Sequence, residues 1–381
     1  MNIDIIGWGD TPTNPKFAVF NDEVIDRVLK RQANLILRAH HEKKLDEVAK
    51  WEAELEKMRK LTPEAITEKI GVVCRQYCWG KTSYQLAVEA AKRAIEKAYQ
   101  NDPDFHVWKI AAVYFGSSSA DNAYPGGHAY AHYCQEALNL GRVEGITIAD
   151  ACCSATAVMA MAHRTMSWRP ERYPYILALF GEVVGSTHNA FEDENATLWG
   201  DGGAALILRA NPRGDPACGI IDSYGRVDGT SNRPDGKNPK YLATLSEGNG
   251  AALIHRWLRL NNSMCGKEKQ IFRAVVGEIP DDILENFIYP NNYLELLRSE
   301  RSELYPHNGN EHMLESNGAK LGISPERIRH RVRDRANQSS VSSVSSFAYH
   351  ADLGLVTSGK AVWFETFASG LEWWMLLNVI P

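Results

Sequence analysis

The spacing of hydrophobic positions changes several times along this chain, and the changes mark an alternation of strands and helices. The opening IDIIGWG reads as a short strand closing on a glycine turn. From about Asp22 to Lys60 the chain is densely charged with apolar residues at helical spacing, which predicts a helical hairpin. TSYQLAVEAAKRAIEKA begins on threonine and serine and continues alanine-rich, as an N-capped amphipathic helix should, and the strand IAAVYFG follows. HYCQEALNLG then reads as helix, GITIADACC as strand, SATAVMAMAHRTM as helix, and YPYILALFGEVV and AALILRA as buried strands. The last third repeats the grammar, with NQSSVSSVSSFAYHADLG a small-residue helix and KAVWFETFASG a strand ending in a small-residue turn. Such alternation predicts an α/β layered fold, and the recurrence of the same plan predicts two similar halves.

Composition narrows the function classes. With 381 residues, 44% of them hydrophobic, the chain can bury a large core. A formal charge of −5 provides no basic excess for a phosphate backbone, which argues against nucleic acid as a partner. No run of eighteen apolar residues and no signal-peptide pattern at MNIDIIGWGD is present, so a soluble, cytoplasmic protein without membrane attachment is expected. The seven cysteines are scattered, and Cys74 and Cys78 have no second pair at zinc-type spacing. Reduced thiols are expected, with no metal and no redox cofactor. Gly200-Asp201-Gly202-Gly203 leads into a strand rather than a helix, which makes it a poor phosphate loop and Asp201 a structural turn residue.

Candidate chemistry centres on ADACCSATAVMAM, where an extended stretch runs through two cysteines into a small-residue helix. Either Cys152 or Cys153 would sit at a helix N-terminus, where free N–H groups and the dipole favour the thiolate that attacks thioesters. The same pattern also fits a cysteine that is a small buried hydrophobe. A nucleophile needs a proton-handling neighbour, and of twelve histidines His307 stands out, just after Pro306 at a junction between strand and the helix EHMLESNGAKLG. Taken alone, that setting fits a surface or capping histidine as well.

Taken together and in order, these segments resemble the signatures of β-ketoacyl-ACP synthase III (KAS III), a condensing enzyme of the thiolase superfamily. ACCSA resembles its A-C-S/A-G nucleophile turn, which implies Cys153 rather than Cys152 as nucleophile. LWGDGGAALIL resembles F-G-D-G-A-G-A; PHNGNEHMLESNGAKLG resembles P-H-Q-A-N with a helix ending in K-L-G and implies a catalytic His307; RANQSSVSS resembles H-G-N-T-S-A-A-S and implies a catalytic Asn337. VWFETFASGLEWW resembles the last strand with its F-G-G-G turn, implying oxyanion donors at the backbone of Cys153 and near Ser369–Gly370. TPEAITEKIGV resembles T-x-E-W-I…T-G-I, and ADNAYP resembles the stretch whose aromatic closes the partner's acyl pocket, implying that role for Tyr124. Nearly the whole chain is covered except the hairpin at about residues 22–60.

The resemblance implies a thiolase fold of two pseudo-symmetric halves in α-β-α-β-α layers. Residues 1–210 would carry the cysteine and 211–381 the histidine and asparagine. It implies acyl transfer to Cys153, then decarboxylative Claisen condensation with a malonyl thioester, His307 and Asn337 both donating hydrogen bonds to its carbonyl. An acyl carrier protein would be the partner, acyl and malonyl thioesters the substrates, and a homodimer the assembly. The alternatives are transfer of the acyl group to an alcohol, amine or other small acceptor, and a non-catalytic subunit completing a heterodimer.

Several positions depart from the family. Ala65 stands where a tryptophan stacks on adenine, and Val73 and the vicinity of Asp193 where arginines are expected. Loss of these groups weakens a nucleotide clamp and favours a carrier-bound or short pantetheine thioester over acyl-CoA. Ala155, Ala336, Ala368 and Ser369 replace glycines, which suggests a specialised member of fatty-acid-like or polyketide secondary metabolism. The hairpin is either a docking arm or a solvated surface element. In PERIRHRVRDR the alternating Arg327, Arg329, Arg331, Arg333 and Arg335 predict a one-sided basic strand, either facing an acidic carrier protein or protecting a solvated edge.

Overall fold

The computed structural model describes residues 2–119, 130–187, 194–227, 272–368 and 372–381. In chain order the elements that matter begin with β1 (Asn2–Asp10), β2 (Ala18–Phe20), α1 (Asn21–His41), α2 (Leu45–Arg59), α3 (Pro63–Ile70), β3 (Cys74–Gln76) and α4 (Ser83–Asn101). Next come β4 (Ile110–Gly116), α5 (Tyr130–Ala137), β5 (Glu144–Ile148), α6 (Ser154–Trp168), β6 (Tyr175–Glu182), β7 (Gly202–Asn211) and β8 (Gly219–Val227). The C-terminal part adds β9 (Ser302–Pro306), α7 (Glu311–Leu321), α8 (Ser342–Asp352), β10 (Ala361–Ala368) and β11 (Glu372–Val379).

One five-stranded sheet has the order β1-β7-β6-β4-β5, with β4 parallel to both β5 and β6 and β7 antiparallel to β1 and β6. A four-stranded sheet has the order β8-β11-β10-β9, with β9 parallel to β10. Strands buried on both faces read as unbroken apolar runs, and YILALFGE in β6 is buried at every position. The layers follow from which side chains meet. Val158 and Met159 of α6 and Val344 and Phe347 of α8 share one core with Ala178 and Leu206 of the first sheet and Phe364 and Leu376 of the second. The outer face of the first sheet is covered by α4 and α5, and that of the second by α7 and residues 279–288. The result is the α-β-α-β-α stack expected of the thiolase fold.

Local chemistry explains the element ends. Thr82 and Gln85 form a capping box at the start of α4, and Asn310 accepts from the Met313 N–H at the start of α7. The predicted hairpin is present as α1 and α2. Two expectations are corrected. Gly7 and Gly9 make no turn: they lie within β1, and a Cβ on either would come within 2.2 Å of the Ala94 or Ala90 carbonyl oxygen of α4. Nor does PERIRHRVRDR form a strand, because Pro325–Arg327 is a 3₁₀ turn and Val332–Arg335 a short helix. Its arginines are spent internally. Arg331 and Arg335 are buried on Asp10 at 3.2 Å, Arg329 pairs with Glu303 at 2.9 Å, and Arg333 pairs with Glu311 at 2.8 Å. No basic face for an acidic partner results from this run, since four of its arginines pair with carboxylates and Arg327 donates to the Ser324 hydroxyl and the Ser299 carbonyl at 3.0 and 2.6 Å.

Candidate active site

Three segments distant in sequence meet on Ser339. The turn Ala151–Cys153 leads directly into α6, and Cys152 Sγ lies 3.3 Å from Ser339 Oγ. His307 follows β9, its N–H donating to the Glu365 carbonyl at 2.7 Å, so β10 fixes its backbone. Its Nδ1 lies 3.1 Å from the Ser339 carbonyl oxygen. Asn337 sits just before Ser339, whose N–H donates to Asn337 Oδ1 at 2.8 Å. A carbonyl only accepts, so His307 Nδ1 carries the proton and a neutral ring leaves a lone pair on Nε2. With Asn337 Oδ1 engaged, its Nδ2 is the donor that remains for a ligand.

The electrostatics are those of a dry site. His307 and Asn337 are buried and Cys153 is fully so. Burial lowers the His307 pKa to about 4, only partly opposed by the Ser339 carbonyl. The expectation that the helix terminus favours a Cys153 thiolate is reversed in the resting state, because burial pushes that thiol well up. Its Sγ–H donates to the Glu372 carbonyl at 3.4 Å. Cys152 is likewise pushed up by burial, to about 12. The Cys153 N–H, expected as an oxyanion donor, already donates to the Asp150 carbonyl at 2.9 Å. Phe367 meets the His307 ring edge-on, with centroids 5.1 Å apart. Tyr124, Asp193, Ser369 and Gly370 lie outside the described residues.

Asp201 is the structural residue expected, buried and accepting from the N–H groups of Cys78, Gly185 and Ser186 at 2.7–3.1 Å. Among the described residues no group of three His, Cys, Asp or Glu side chains is placed to hold a metal. No helix among them is long and apolar enough to cross a membrane. The sequence reading missed Ser339 and Glu182. Their signals are serine clusters, GSSS at residues 116–119 and SSVSS at 339–343, which look like filler until the fold brings them together.

Comparison with known proteins bears on the family and the fold. Residues 296–378 match the family model for the 3-oxoacyl-[acyl-carrier-protein] synthase III C terminal. The β-ketoacyl-[acyl-carrier-protein] synthase III of Escherichia coli O9:H4 (strain HS) is 25% identical over 331 residues, 86% of this chain and 94% of its own length. The chain is KAS III-like. Its fold matches 3-oxoacyl-(acyl carrier protein) synthase III from Pseudomonas aeruginosa PAO1 with a TM-score of 0.73 at 18% identity, over 100% of this chain and 99% of that one. The priming β-ketosynthase of the R1128 polyketide pathway gives 0.73 at 18%, covering 100% and 96%. Cerulenin-bound OleA from Xanthomonas campestris gives 0.69 at 15%, covering 100% and 99%. This KAS III-like chain therefore has the thiolase fold, and the candidate residues of the Ala151–Cys153 turn, His307 and Asn337 meet between its two sheets.

Proposed function

We propose that this KAS III-like condensing enzyme loads an acyl group on Cys153 and condenses it with a malonyl thioester, working as a cytoplasmic homodimer in fatty-acid-like or polyketide secondary metabolism. The reading rests on the convergence on Ser339 of His307, Asn337 and the Ala151–Cys153 turn, which touches it through Cys152 Sγ. Neutral His307 takes the Cys153 proton at Nε2 as sulfur attacks the donor thioester carbonyl, and the carrier thiolate leaves and takes a proton from water. The ring then holds the proton that makes Nε2 a donor. It and Asn337 Nδ2 hydrogen-bond the malonyl carbonyl as CO₂ departs and its bonding pair forms the enolate. The enolate carbon attacks the acyl-cysteine carbonyl, and the released Cys153 thiolate recovers its proton from His307. In the resting tautomer His307 is the base and Asn337 the donor, and both donate once Cys153 is acylated.

That base supports a second reading. An Nε2 lone pair also suits deprotonation of an alcohol or amine acceptor, which would release the acyl group without carbon–carbon bond formation.

For the donor's carrier, the groove beside α3 argues against a nucleotide. Asp22, Glu64, Glu68 and Glu311 line it, and its Arg333 is already paired with Glu311 at 2.8 Å. Carboxylates repel the phosphates of coenzyme A, which favours acyl carrier protein or a short pantetheine thioester. Intact-protein mass spectrometry after incubation with acyl-ACP and acyl-CoA donors, with a malonyl-ACP chase, tests all of this. An adduct present in wild type and missing in Cys153→Ala, followed by β-ketoacyl product, is the expected outcome. An adduct without ketoacyl product transfers support to the second reading, and no adduct with any donor defeats both.

A further inference from the structure

Glu182 ends β6 fully buried, and no step above uses it. Among the described residues, every hydrogen bond to its carboxylate comes from a serine. The N–H groups of Ser118 and Ser340 donate to Oε1 at 2.7 and 3.3 Å, and the Ser118 hydroxyl reaches both oxygens at 3.0 Å. The hydroxyls of Ser119 and Ser340 make short contacts, and Ser117 Oγ stands off at 3.4 Å. Because Ser118 spends its proton on the carboxylate, its 2.7 Å bond to Ser339 Oγ must be one that Ser118 accepts. Ser339 Oγ then has lone pairs for the Cys152 thiol 3.3 Å away. A directed chain runs Cys152 to Ser339 to Ser118 to Glu182, its direction set by the carboxylate.

Ser339 is held in the left-handed region, φ 49°, which a serine does not adopt without support. Glu182 grips it from two sides, through the Ser118 hydroxyl and through the N–H and hydroxyl of the next residue, Ser340. The Ser339 carbonyl places the His307 proton on Nδ1, and the Ser339 N–H orients the Asn337 amide. We propose that Glu182 is a positioning residue, whose carboxylate holds Ser339 in the conformation that selects the His307 tautomer and the Asn337 rotamer. The inference builds on the roles given above to His307 and Asn337.

The test uses the full chain labelled with ¹⁵N-histidine, in wild type, Glu182→Gln and Glu182→Ala. Long-range ¹H–¹⁵N spectra, with His307→Gln to assign the signal, should show wild-type His307 neutral and protonated at Nδ1. Glu182→Gln keeps an oxygen for the two N–H groups but reverses the bond to Ser118. It should leave His307 in mixed tautomers and lower condensation kcat by on the order of 10²-fold, with KM for the malonyl donor changed less than about twofold. In the Glu182→Gln/Ser118→Ala double variant the loss should not deepen, because both substitutions break one chain. Unchanged tautomer and kcat in folded Glu182→Gln overturn the proposal, as does a kcat loss that matches only a lower folded fraction. Should Glu182→Ala fail to fold, Glu182→Gln decides. If wild type never acylates Cys153, the functional reading fails, and the tautomer comparison still decides the role of Glu182.

Discussion

Ala151, Ala336 and Ser339 all have positive φ, at 45°, 56° and 49°, and each lies within two residues of Cys153 or Asn337. Ala336 also has ψ −156°, a region kept almost wholly for glycine and costing about 1–3 kcal/mol. In Ala336→Gly the relieved strain is offset by about 0.4–1 kcal/mol of unfolded-chain entropy and about 0.8 kcal/mol for a buried methyl. Thermal melting should therefore shift by only a few degrees, whereas a β-branched Ala336→Val should lose more than about 2 kcal/mol. A second residue-scale expectation concerns pH. Glu365 is buried with, among the described residues, only the Asn317 amide donating, at 3.0 Å, and burial raises its pKa to about 7. A raised carboxyl contributes stability that is full below its unfolded value near 4.5 and lost as pH rises through about 7. His307 runs the other way, losing its contribution as pH falls from 6.5 through about 4. Glu365→Gln should flatten the decline in urea midpoint between pH 5 and 8, an effect on the order of 3 kcal/mol or less; parallel wild-type and variant curves would refute the assignment. Cys153, His307 and Asn337 could be singled out as candidates from the sequence because each sits in a short local motif. Glu182 and Ser339 were not, since their meaning depends on serines 118, 119 and 340 arriving from other elements.

Elements were readable where one periodicity ruled and misread where packing between elements decided. β6, α4 and α6 carry their burial in their own spacing. IDIIGWG is the strand its pattern predicts, but its end looked like a turn because glycine usually punctuates; Gly7 and Gly9 are there to let α4 approach β1. In Gly9→Ala the new Cβ would meet the Ala90 carbonyl at 2.2 Å, a backbone atom with no rotamer to yield. Parting the helix from the strand should cost about 3 kcal/mol, read as a lower urea midpoint. The arginine run was misread for the opposite reason, since alternation in sequence says nothing of a carboxylate contributed by a distant strand. Asp10 of β1 faces Arg331 and Arg335 at 3.2 Å and Arg93 at 3.5 Å, and both of the nearer arginines are buried. Asp10→Asn leaves Arg331 with Asp334, and Arg335 with the Thr11 carbonyl at 2.9 Å and Asp334 at 4.0 Å, and should cost about 3 kcal/mol in the same measurement; a loss below about 1 kcal/mol would mean that Asp334 carries both arginines by itself.

At the scale of the molecule, the five layers explain why the candidate site is dry: α6 and α8 are enclosed between two sheets, and Cys153 and Asn337 stand just before those helices begin. The α1–α2 hairpin stands outside this stack. Val24, Ile25, Val28 and Met58 pack with Ile66, Tyr77 and Ala196 in a small cluster of their own, so the base of the hairpin belongs to the fold. Its far end does not join that cluster, although Ala39, Val48 and Trp51 are buried there. Charges along both helices pair within their own helix, as in Lys30–Asp26, Arg38–Glu42 and Arg59–Glu56. Such pairs are worth little to the fold and leave little net field for a partner to read. Replacing residues 33–53 by a short Gly-Ser link keeps Val24, Ile25, Val28 and Met58 and should leave the melting temperature within a few degrees. Turnover with an acyl-ACP donor should stay within about twofold of wild type, since a solvated arm adds no binding energy to the transition state. A selective rise in KM for acyl-ACP, with the short pantetheine donor unaffected, would instead make the tip a docking arm for the carrier protein.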